Sequence, residues 1–301
     1  SLKTALFCSL LTAAGCASDA PENLDPLLEG KADSAYGPQA GMFVSTMIPV
    51  ADTCGLNIEV NEPDVVEIVV GDDGKSFSFD ADGTVATCTM TEGISYECDL
   101  SSAASEVLPI VMTMTGEWVG PDRFEGEMLM AVNCEGEQCA FFEEAFEDAT
   151  EMPCKTTALV IGSRAMPEDF EPVEGTYDVA LSAPIEGLTT CRADTIQDAL
   201  PPAVELVGSD DGFVIEDGLM PFECDAYEGG GFACARSLEV PGFGVSFVSE
   251  VAGAWTDDLT VNGTLKVTVQ CSDDENCGDA EQYFGELPCN AFHPIDLFVV
   301  E

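Results

Sequence analysis

The fold is decided by residues 245–270, which read VSFVSEVAGAWTDDLTVNGTLKVTVQ. From Thr260 to Gln270, apolar or glycine residues alternate with Thr, Asn, Lys and Gln. Alternation with a period of two is typical of a β-strand that buries one face. Residues 245–255 alternate in the same way, and a short polar turn separates the two runs. The stretch therefore predicts an antiparallel hairpin.

Residues 108–132 repeat this hairpin earlier in the chain. In the register that the turn favours, each tryptophan faces the first apolar residue of the next strand, and two glycines face each other. The predicted cross-strand pairs are Trp118–Phe124, Gly116–Gly126, Trp255–Val261 and Gly253–Gly263. Because such neighbours lie about 5 Å apart, facing glycines leave a gap, and we expect the neighbouring indole to cover it.

The hairpin belongs to a duplication that covers most of the chain. Six cysteines of the first half recur 135 to 138 residues later, and Met152-Pro153-Cys154 recurs as Leu287-Pro288-Cys289. Gly41-Met42-Phe43 opens the first copy and Gly175-Thr176-Tyr177 opens the second. A fixed period of this kind indicates repeated structural units. We predict two β domains, at residues 41–162 and 175–301, joined by a proline-containing acidic linker at residues 163–174.

Each copy shows roughly eight short runs with strand character. In the first copy they lie near residues 42–48, 64–70, 76–80, 84–90, 94–99, 108–118, 123–133 and 155–162. Strands joined by short turns predict an all-β fold, an antiparallel meander that is closed as a barrel or folded as a sandwich. A helix is possible at residues 141–149. The strand count and the Gly-x-Trp sequence resemble lipocalin-like barrels in architecture, and this resemblance carries no ligand.

The inward positions of both copies are mostly bulky. They are Ile110, Met112, Met114, Trp118, Phe124, Met128 and Met130 in copy one, and Phe247, Val251, Trp255, Leu265 and Val267 in copy two. An eight-stranded barrel either is filled by its side chains or holds one small ligand. Side chains of this size predict a filled interior, because protein cores pack to crystal-like density.

The charge balance excludes one class of partner. The chain has 57 acidic and 9 basic residues, a formal net charge of −48, with 46% hydrophobic residues. Such a surface repels nucleic acid and anionic headgroups, so no nucleic-acid partner is expected. After residue 16 no run of 18 apolar residues occurs, and no spanning helix is expected.

The N-terminal residues read SLKTALFCSLLTAAGCASDA. A lysine followed by a short apolar run is typical of a secretory signal peptide, here residues 1–15. The end of this run, Leu-Thr-Ala-Ala-Gly-Cys, resembles the bacterial lipobox. The resemblance implies cleavage before Cys16, acylation of Cys16, and, since Ala17 follows instead of aspartate, an anchor in the outer membrane. Residues 16–40 are predicted to form a flexible tether. The alternative is an ordinary signal peptide that is cut near Ala14 or Ala17.

Besides Cys8 and Cys16, twelve cysteines remain, an even number that indicates an oxidising compartment. Cys88 and Cys98 flank a turn, which suits a disulfide across a hairpin. By the same reasoning on spacing, the predicted pairs are Cys54–Cys154, Cys88–Cys98, Cys134–Cys139, Cys191–Cys289, Cys224–Cys234 and Cys271–Cys277. Six cysteines allow fifteen connectivities per copy, which the spacing leaves open. Zinc is the alternative, but a Cys-x2-Cys pair and histidine partners are lacking, so no metal is predicted.

Other candidate sites have simpler explanations. Four facing methionines (Met112, Met114, Met128 and Met130) have the soft ligands that suit Cu(I), yet the second copy has ordinary core residues there. Acidic turns such as Asp72-Asp73-Gly74 suit Ca²⁺, yet Asp-Gly is also common turn chemistry. The other acidic turns are Asp80-Ala81-Asp82-Gly83, Asp210-Asp211-Gly212 and Ser272-Asp273-Asp274-Glu275.

A catalytic site is not evident. His293 is the only histidine, and no nucleophile, metalloprotease or phosphate-loop motif is present. The copies share cysteines, glycines and apolar positions but no polar cluster. We therefore expect no cofactor and a non-catalytic surface lipoprotein with a structural or binding role, whose protein or small-molecule partner the sequence does not identify. The alternative is a secreted hydrolase that uses paired carboxylates.

Overall fold

The computed structural model describes residues 36–55, 63–81, 84–100, 110–134, 136, 139, 152–185, 188–192, 200–209, 212–240, 244–272 and 277–300. Sixteen antiparallel strands in this part of the chain form two closed barrels of eight strands each. The all-β prediction is therefore confirmed, and the meander closes as a barrel in both copies instead of forming a sandwich.

Barrel one is built from strands in sequence order, and β1 closes the barrel by pairing with β8. Its strands are β1 (Gly41–Asp52), β2 (Asp64–Val70), β3 (Ser76–Ala81), β4 (Thr84–Met90), β5 (Ser95–Asp99), β6 (Ile110–Gly120), β7 (Arg123–Val132) and β8 (Cys154–Arg164). Because β8 continues to Arg164, the linker begins two residues later than predicted. The helix considered at residues 141–149 lies outside the described residues.

Barrel two repeats this order, with β9 paired to both β10 and β16. Its strands are β9 (Gly175–Leu181), β10 (Ala203–Gly208), β11 (Gly212–Glu216), β12 (Phe222–Ala226), β13 (Gly231–Val240), β14 (Val245–Asp257), β15 (Thr260–Cys271) and β16 (Cys289–Val299). A 3-10 turn spans Glu228–Gly230, and helix α1 spans Cys277–Phe284.

The two long hairpins have the predicted register. Trp118 lies opposite Phe124 and Gly116 opposite Gly126, and barrel two has the equivalent pairs. One correction concerns the gap between the facing glycines. A Cβ atom added at Gly116 would lie 2.5 Å from the hydroxyl oxygen of Tyr96, so a tyrosine of β5 covers this gap and not the indole. The reason is the register, because Tyr96 pairs directly with Gly116 across β5 and β6.

Aromatic side chains fill one end of each barrel. The ring of Trp118 lies 5.7 Å from that of Phe43 and 5.5 Å from that of Phe124. In barrel two, the ring of Trp255 lies 5.1 Å from Phe213 and 5.2 Å from Phe232. All of these rings are buried. Their edge-to-face and tilted arrangements are those that aromatic pairs prefer.

Each barrel also receives an aromatic residue from the chain just before its first strand. Phe170 packs on Trp255 at 5.6 Å between ring centroids, and Tyr36 packs against the aromatic cluster of barrel one. We call Tyr36 and Phe170 the aromatic caps. Each lies five residues before the glycine that opens the first strand, and these glycines, Gly41 and Gly175, have φ values of 138° and 150°. The tether and the linker therefore contribute packing residues at their ends.

Five disulfides staple the barrels. The structure pairs Cys54 with Cys154, Cys88 with Cys98, Cys134 with Cys139, Cys191 with Cys289, and Cys224 with Cys234. These are the pairs that the spacing suggested. Cys271 is also disulfide-bonded, and the side chain of its predicted partner, Cys277, lies outside the described residues. Disulfides of this number are typical of exported proteins.

The outer faces of the two barrels pack against each other. Ile48 and Ile161 of barrel one form an apolar cluster with Ala252 and Phe292 of barrel two. The backbone NH of Met166 donates a hydrogen bond of 2.7 Å to the carbonyl of Gly229. A Cβ atom at Gly229 would lie 2.8 Å from Val44, so this contact needs glycine on the barrel-two side.

Candidate functional site

A cleft of 280 Å³ lies where the outer faces of the two barrels meet. Barrel one lines it from β6, β7 and β8, and barrel two lines it from the segment after β9 and from β15 and β16. The apolar residues of its wall are Val119, Leu159, Val160, Ile161, Ile185 and Pro294, and the polar ones are Glu117, Arg123, Glu125 and Thr264. We call it the inter-barrel cleft.

The hairpin that packs the core of barrel one also supplies the charges of the inter-barrel cleft. Residues in a strand alternate between the two faces of the sheet, so the neighbours of inward Trp118 and Phe124 point outward. Glu117 and Glu125 are two such neighbours, and they lie directly opposite each other in the ladder. Leu159 and Ile161 lie on the outer face of β8, with Ile161 directly opposite Glu125. Both apolar side chains line the inter-barrel cleft.

Arg123 is the basic residue of this wall. Its guanidinium lies 2.7 Å from the carboxylate of Glu125 and 3.8 Å from that of Asp296, on barrel two. Asp296 also accepts a hydrogen bond from the side-chain amide of Asn262. Burial raises the pKa of Asp296, and the proximity of Arg123 and the bond from Asn262 only partly offset this effect. The arginine therefore joins the barrels electrostatically beside the inter-barrel cleft.

Glu117 has a different environment from Glu125. It accepts a hydrogen bond of 3.2 Å from the hydroxyl of Ser95, and its side chain is exposed. Among the described residues no ion pair to Glu117 is found. The wall around the apolar floor thus has one arginine, already engaged by two carboxylates, and one further carboxylate that faces solvent.

The residues that the sequence singled out are scattered. Cys16 lies outside the described residues. The disulfide cysteines bridge strands and loops of their own barrel, and in the described part of the chain no group of three or more His, Cys, Asp or Glu side chains could hold a metal ion. Met112 faces Met130 and Met114 faces Met128. Met114 is buried and packs in the aromatic cluster, as a core residue does.

The acidic turn at Asp73 uses its carboxylate for local structure. One oxygen accepts hydrogen bonds from the backbone NH groups of Lys75 and Ser76 and from the Ser76 hydroxyl. These bonds, with that from Lys75 the largest, lower the pKa of Asp73 to about 2. The turn is therefore a side-chain-capped hairpin. Asp82-Gly83, Asp210-Asp211 and Asp273-Asp274-Glu275 lie outside the described residues.

His293 lies in the interior of barrel two and is fully buried. Its Nδ1 atom is 3.1 Å from the carbonyl oxygen of Ser182, and it lies opposite Leu265 in the ladder. Within the described part of the chain, Nε2 has no hydrogen-bond partner. A ring enclosed among core residues cannot reach a substrate in the inter-barrel cleft, so His293 contributes packing and not proton transfer there.

The inter-barrel cleft was not predicted from the sequence. Its residues belong to two copies of the repeat, whose long hairpins are 137 positions apart in the sequence. Alternation shows which residues point outward, but it does not show that the outer faces of the two barrels meet. The aromatic caps left a detectable signal, because Tyr36 and Phe170 stand at the same distance before the opening glycines.

The chain matches no known protein-family model, and no curated protein is detectably similar to it in sequence. Among the described residues, no helix is both long and apolar enough to cross a membrane.

Proposed function

We propose that this exported chain is a lipoprotein of the bacterial outer membrane with a non-catalytic, structural or binding role. In this proposal, Cys16 carries the lipid and residues 16–40 form the tether, and 20 of these residues precede Tyr36, which packs against the barrel-one core. A coil of 20 residues has a root-mean-square end-to-end distance of about 25 Å. The two barrels are thereby held close to the membrane but are free to turn.

The observation that carries the non-catalytic role is what the two barrels share. They retain disulfides, facing glycines, buried tryptophans and aromatic caps, all of which build the fold. The charged residues of the inter-barrel cleft are not retained. Glu117, Arg123 and Glu125 correspond to Ala254, Thr260 and Asn262 in barrel two. Duplication thus preserved a scaffold without a second copy of these charges, which favours a structural or binding role over a catalytic one.

The anchor is tested by replacing Cys16 with alanine in cells that are fed a labelled fatty acid. We expect the label to be lost and the protein to appear in the soluble fraction. Cys8→Ala is the matched control, since Cys8 lies inside the predicted signal peptide, and it should leave labelling intact. Membrane partitioning that persists in Cys16→Ala would contradict the anchor.

A carboxylate-dependent hydrolase is the second candidate, and the facing pair Glu117 and Glu125 favours it. Glycosidases use two carboxyl groups across the scissile bond, with the acid in an apolar environment. Here Glu125 is paired with Arg123 and Glu117 is exposed, which does not provide that environment. Hydrolysis of aryl glycosides that is lost in Glu117→Gln would favour this candidate over the first.

A further inference from the structure

We propose that the inter-barrel cleft binds a small organic cation with an apolar body, such as an arylalkyl amine. This rests on the binding role proposed above, for which it names the site and the ligand class, and it does not depend on the lipid anchor. Three observations lead to it: the shape of the cleft, its apolar floor and the sign of the charge at its edge.

The floor of the inter-barrel cleft is formed by apolar side chains from both barrels. Leu159 and Ile161 come from β8, and Ile185 and Pro294 come from barrel two. Small-molecule sites are concave and mostly apolar, with a few polar groups that fix orientation. A space of 280 Å³ admits one aromatic ring with a short side arm.

The charge at the edge selects the sign of the ligand. Arg123 is engaged by Glu125 at 2.7 Å and lies near Asp296 at 3.8 Å, so its charge is already compensated. Among the described residues, Glu117 accepts a hydrogen bond from a neutral hydroxyl, that of Ser95, and forms no ion pair. An ammonium group placed at Glu117 gains a charge-assisted hydrogen bond, whereas a carboxylate placed there meets like charge.

The electrostatic field of the whole molecule also favours a cationic ligand. A net charge of −48 raises the local concentration of cations and lowers that of anions. This long-range contribution is screened within about 8 Å at physiological ionic strength. Binding should therefore weaken as salt is added, while the contact with Glu117 provides the part that is specific to the site.

The test is a titration of the purified full chain with 2-phenylethylamine, compared with 2-phenylethanol and 3-phenylpropionate at matched concentrations. Labelled isoleucine methyl groups report the position, since Ile161 and Ile185 line the cleft and Ile215 is buried inside barrel two. We expect saturable shifts at Ile161 and Ile185 but not at Ile215, with the amine binding at least tenfold more tightly than the alcohol.

Two variants separate the site from the general field. Glu117→Gln should weaken amine binding at least fivefold, whereas Glu97→Gln, an exposed carboxylate on the outer face of the neighbouring strand β5, should change it less than twofold. Equal binding of amine and alcohol, equal loss in both variants, or no shift at Ile161 and Ile185 up to 10 mM amine would each overturn the proposal. Labelling of Cys16 is measured separately, so failure here leaves the anchor unaffected.

Discussion

The two barrels have one backbone plan but fill it differently. In barrel one the middle of the interior has four methionines, and Ala158 faces one of them, Met128. In barrel two three of these slots hold smaller residues and the fourth holds a leucine, and the position of Ala158 is taken by His293, opposite Leu265. The residues of barrel two are Ser249, Val251, Leu265 and Val267, at the positions of Met112, Met114, Met128 and Met130.

These exchanges compensate one another in volume. Three slots lose side-chain atoms between barrel one and barrel two, the slot of Met128 keeps its volume as Leu265, and one slot gains an imidazole. Cores tolerate hydrophobic exchange when the total volume is kept. The comparison teaches that the turns, the glycine pairs and the disulfides determine the barrel, while the filling of its middle can vary as long as it fits.

The largest effect is expected from removing the disulfides that occur at equivalent positions in both barrels. The Cys54–Cys154 bridge spans 100 residues and Cys88–Cys98 spans 10. On the chain-entropy model, we expect Cys54→Ala/Cys154→Ala to lower the free energy of unfolding by about 4–5 kcal/mol and Cys88→Ala/Cys98→Ala by about 3 kcal/mol. Chemical denaturation without reductant measures both. The pairs of barrel two should follow the same order, and equal losses from long and short loops would contradict the account.

The second test transplants the filling of one barrel into the other. Ala158→His adds an imidazole to a fully buried slot, which should cost about 1–3 kcal/mol of unfolding free energy through overpacking. Adding Met128→Leu and Met130→Val, the residues of barrel two, should recover part of this loss. The matched control is Met128→Leu/Met130→Val alone, which should be destabilising. Strictly additive losses in the triple variant would show that the slots do not compensate.

The third test concerns the aromatic caps. Phe170 is half-buried against Trp255, so Phe170→Ala should lower the free energy of unfolding by roughly 1–2 kcal/mol, less than a fully buried phenylalanine would. Tyr36→Ala should have an effect of similar size on barrel one. Phe298→Ala, at a 41% exposed position, should stay within about 0.5 kcal/mol. A loss of unfolding free energy in only one of these two variants would contradict the equivalence of the aromatic caps.

The smallest effect is expected at Asp296, whose counterpart in barrel one is Ile161. Because burial raises the pKa of Asp296 in the folded state above its ordinary value, the folded state binds more protons than the unfolded state in the pH interval just above that value. Stability contributed by this group is therefore greatest at low pH and falls as pH rises through the folded pKa. We expect Asp296→Asn to be more stable than the unmodified chain by a larger margin at pH 7 than at pH 3.5. Thermal unfolding of both proteins at the two pH values measures this margin, and Glu223→Gln on the surface should show no such trend.

The sequence was sufficient to predict the pairing between strands that follow each other directly in the chain. Alternation around Gly116 and Trp118 was sufficient for the register of the long hairpins, and the spacing of Cys88 and Cys98 was sufficient for their bridge. Both are local, since they involve residues joined by a short turn. The predicted strand positions in copy one therefore agree with the observed bounds to within a few residues, apart from β1, which is longer.

Features that depend on distant residues were not predictable in this way. Closure of barrel one needs β1 to pair with β8, about 115 residues away at Thr46 and Ile161, and alternation alone is equally consistent with a sandwich. Tyr96 covers the glycine gap because β5 happens to border β6 at Gly116. The inter-barrel cleft needs the packing of Ile161 on Phe292, which no periodicity reports.

Closure of both sheets has a consequence for how this molecule behaves in a crowd. Each of the sixteen described strands has a hydrogen-bonded neighbour on either side over at least part of its length, so none of the described strands is a free edge from end to end. Free strand edges are the usual templates for runaway self-association. At high local density, copies of this chain would approach one another with acidic surfaces that repel. We therefore expect them to stay monomeric and not to assemble into β-sheet fibres.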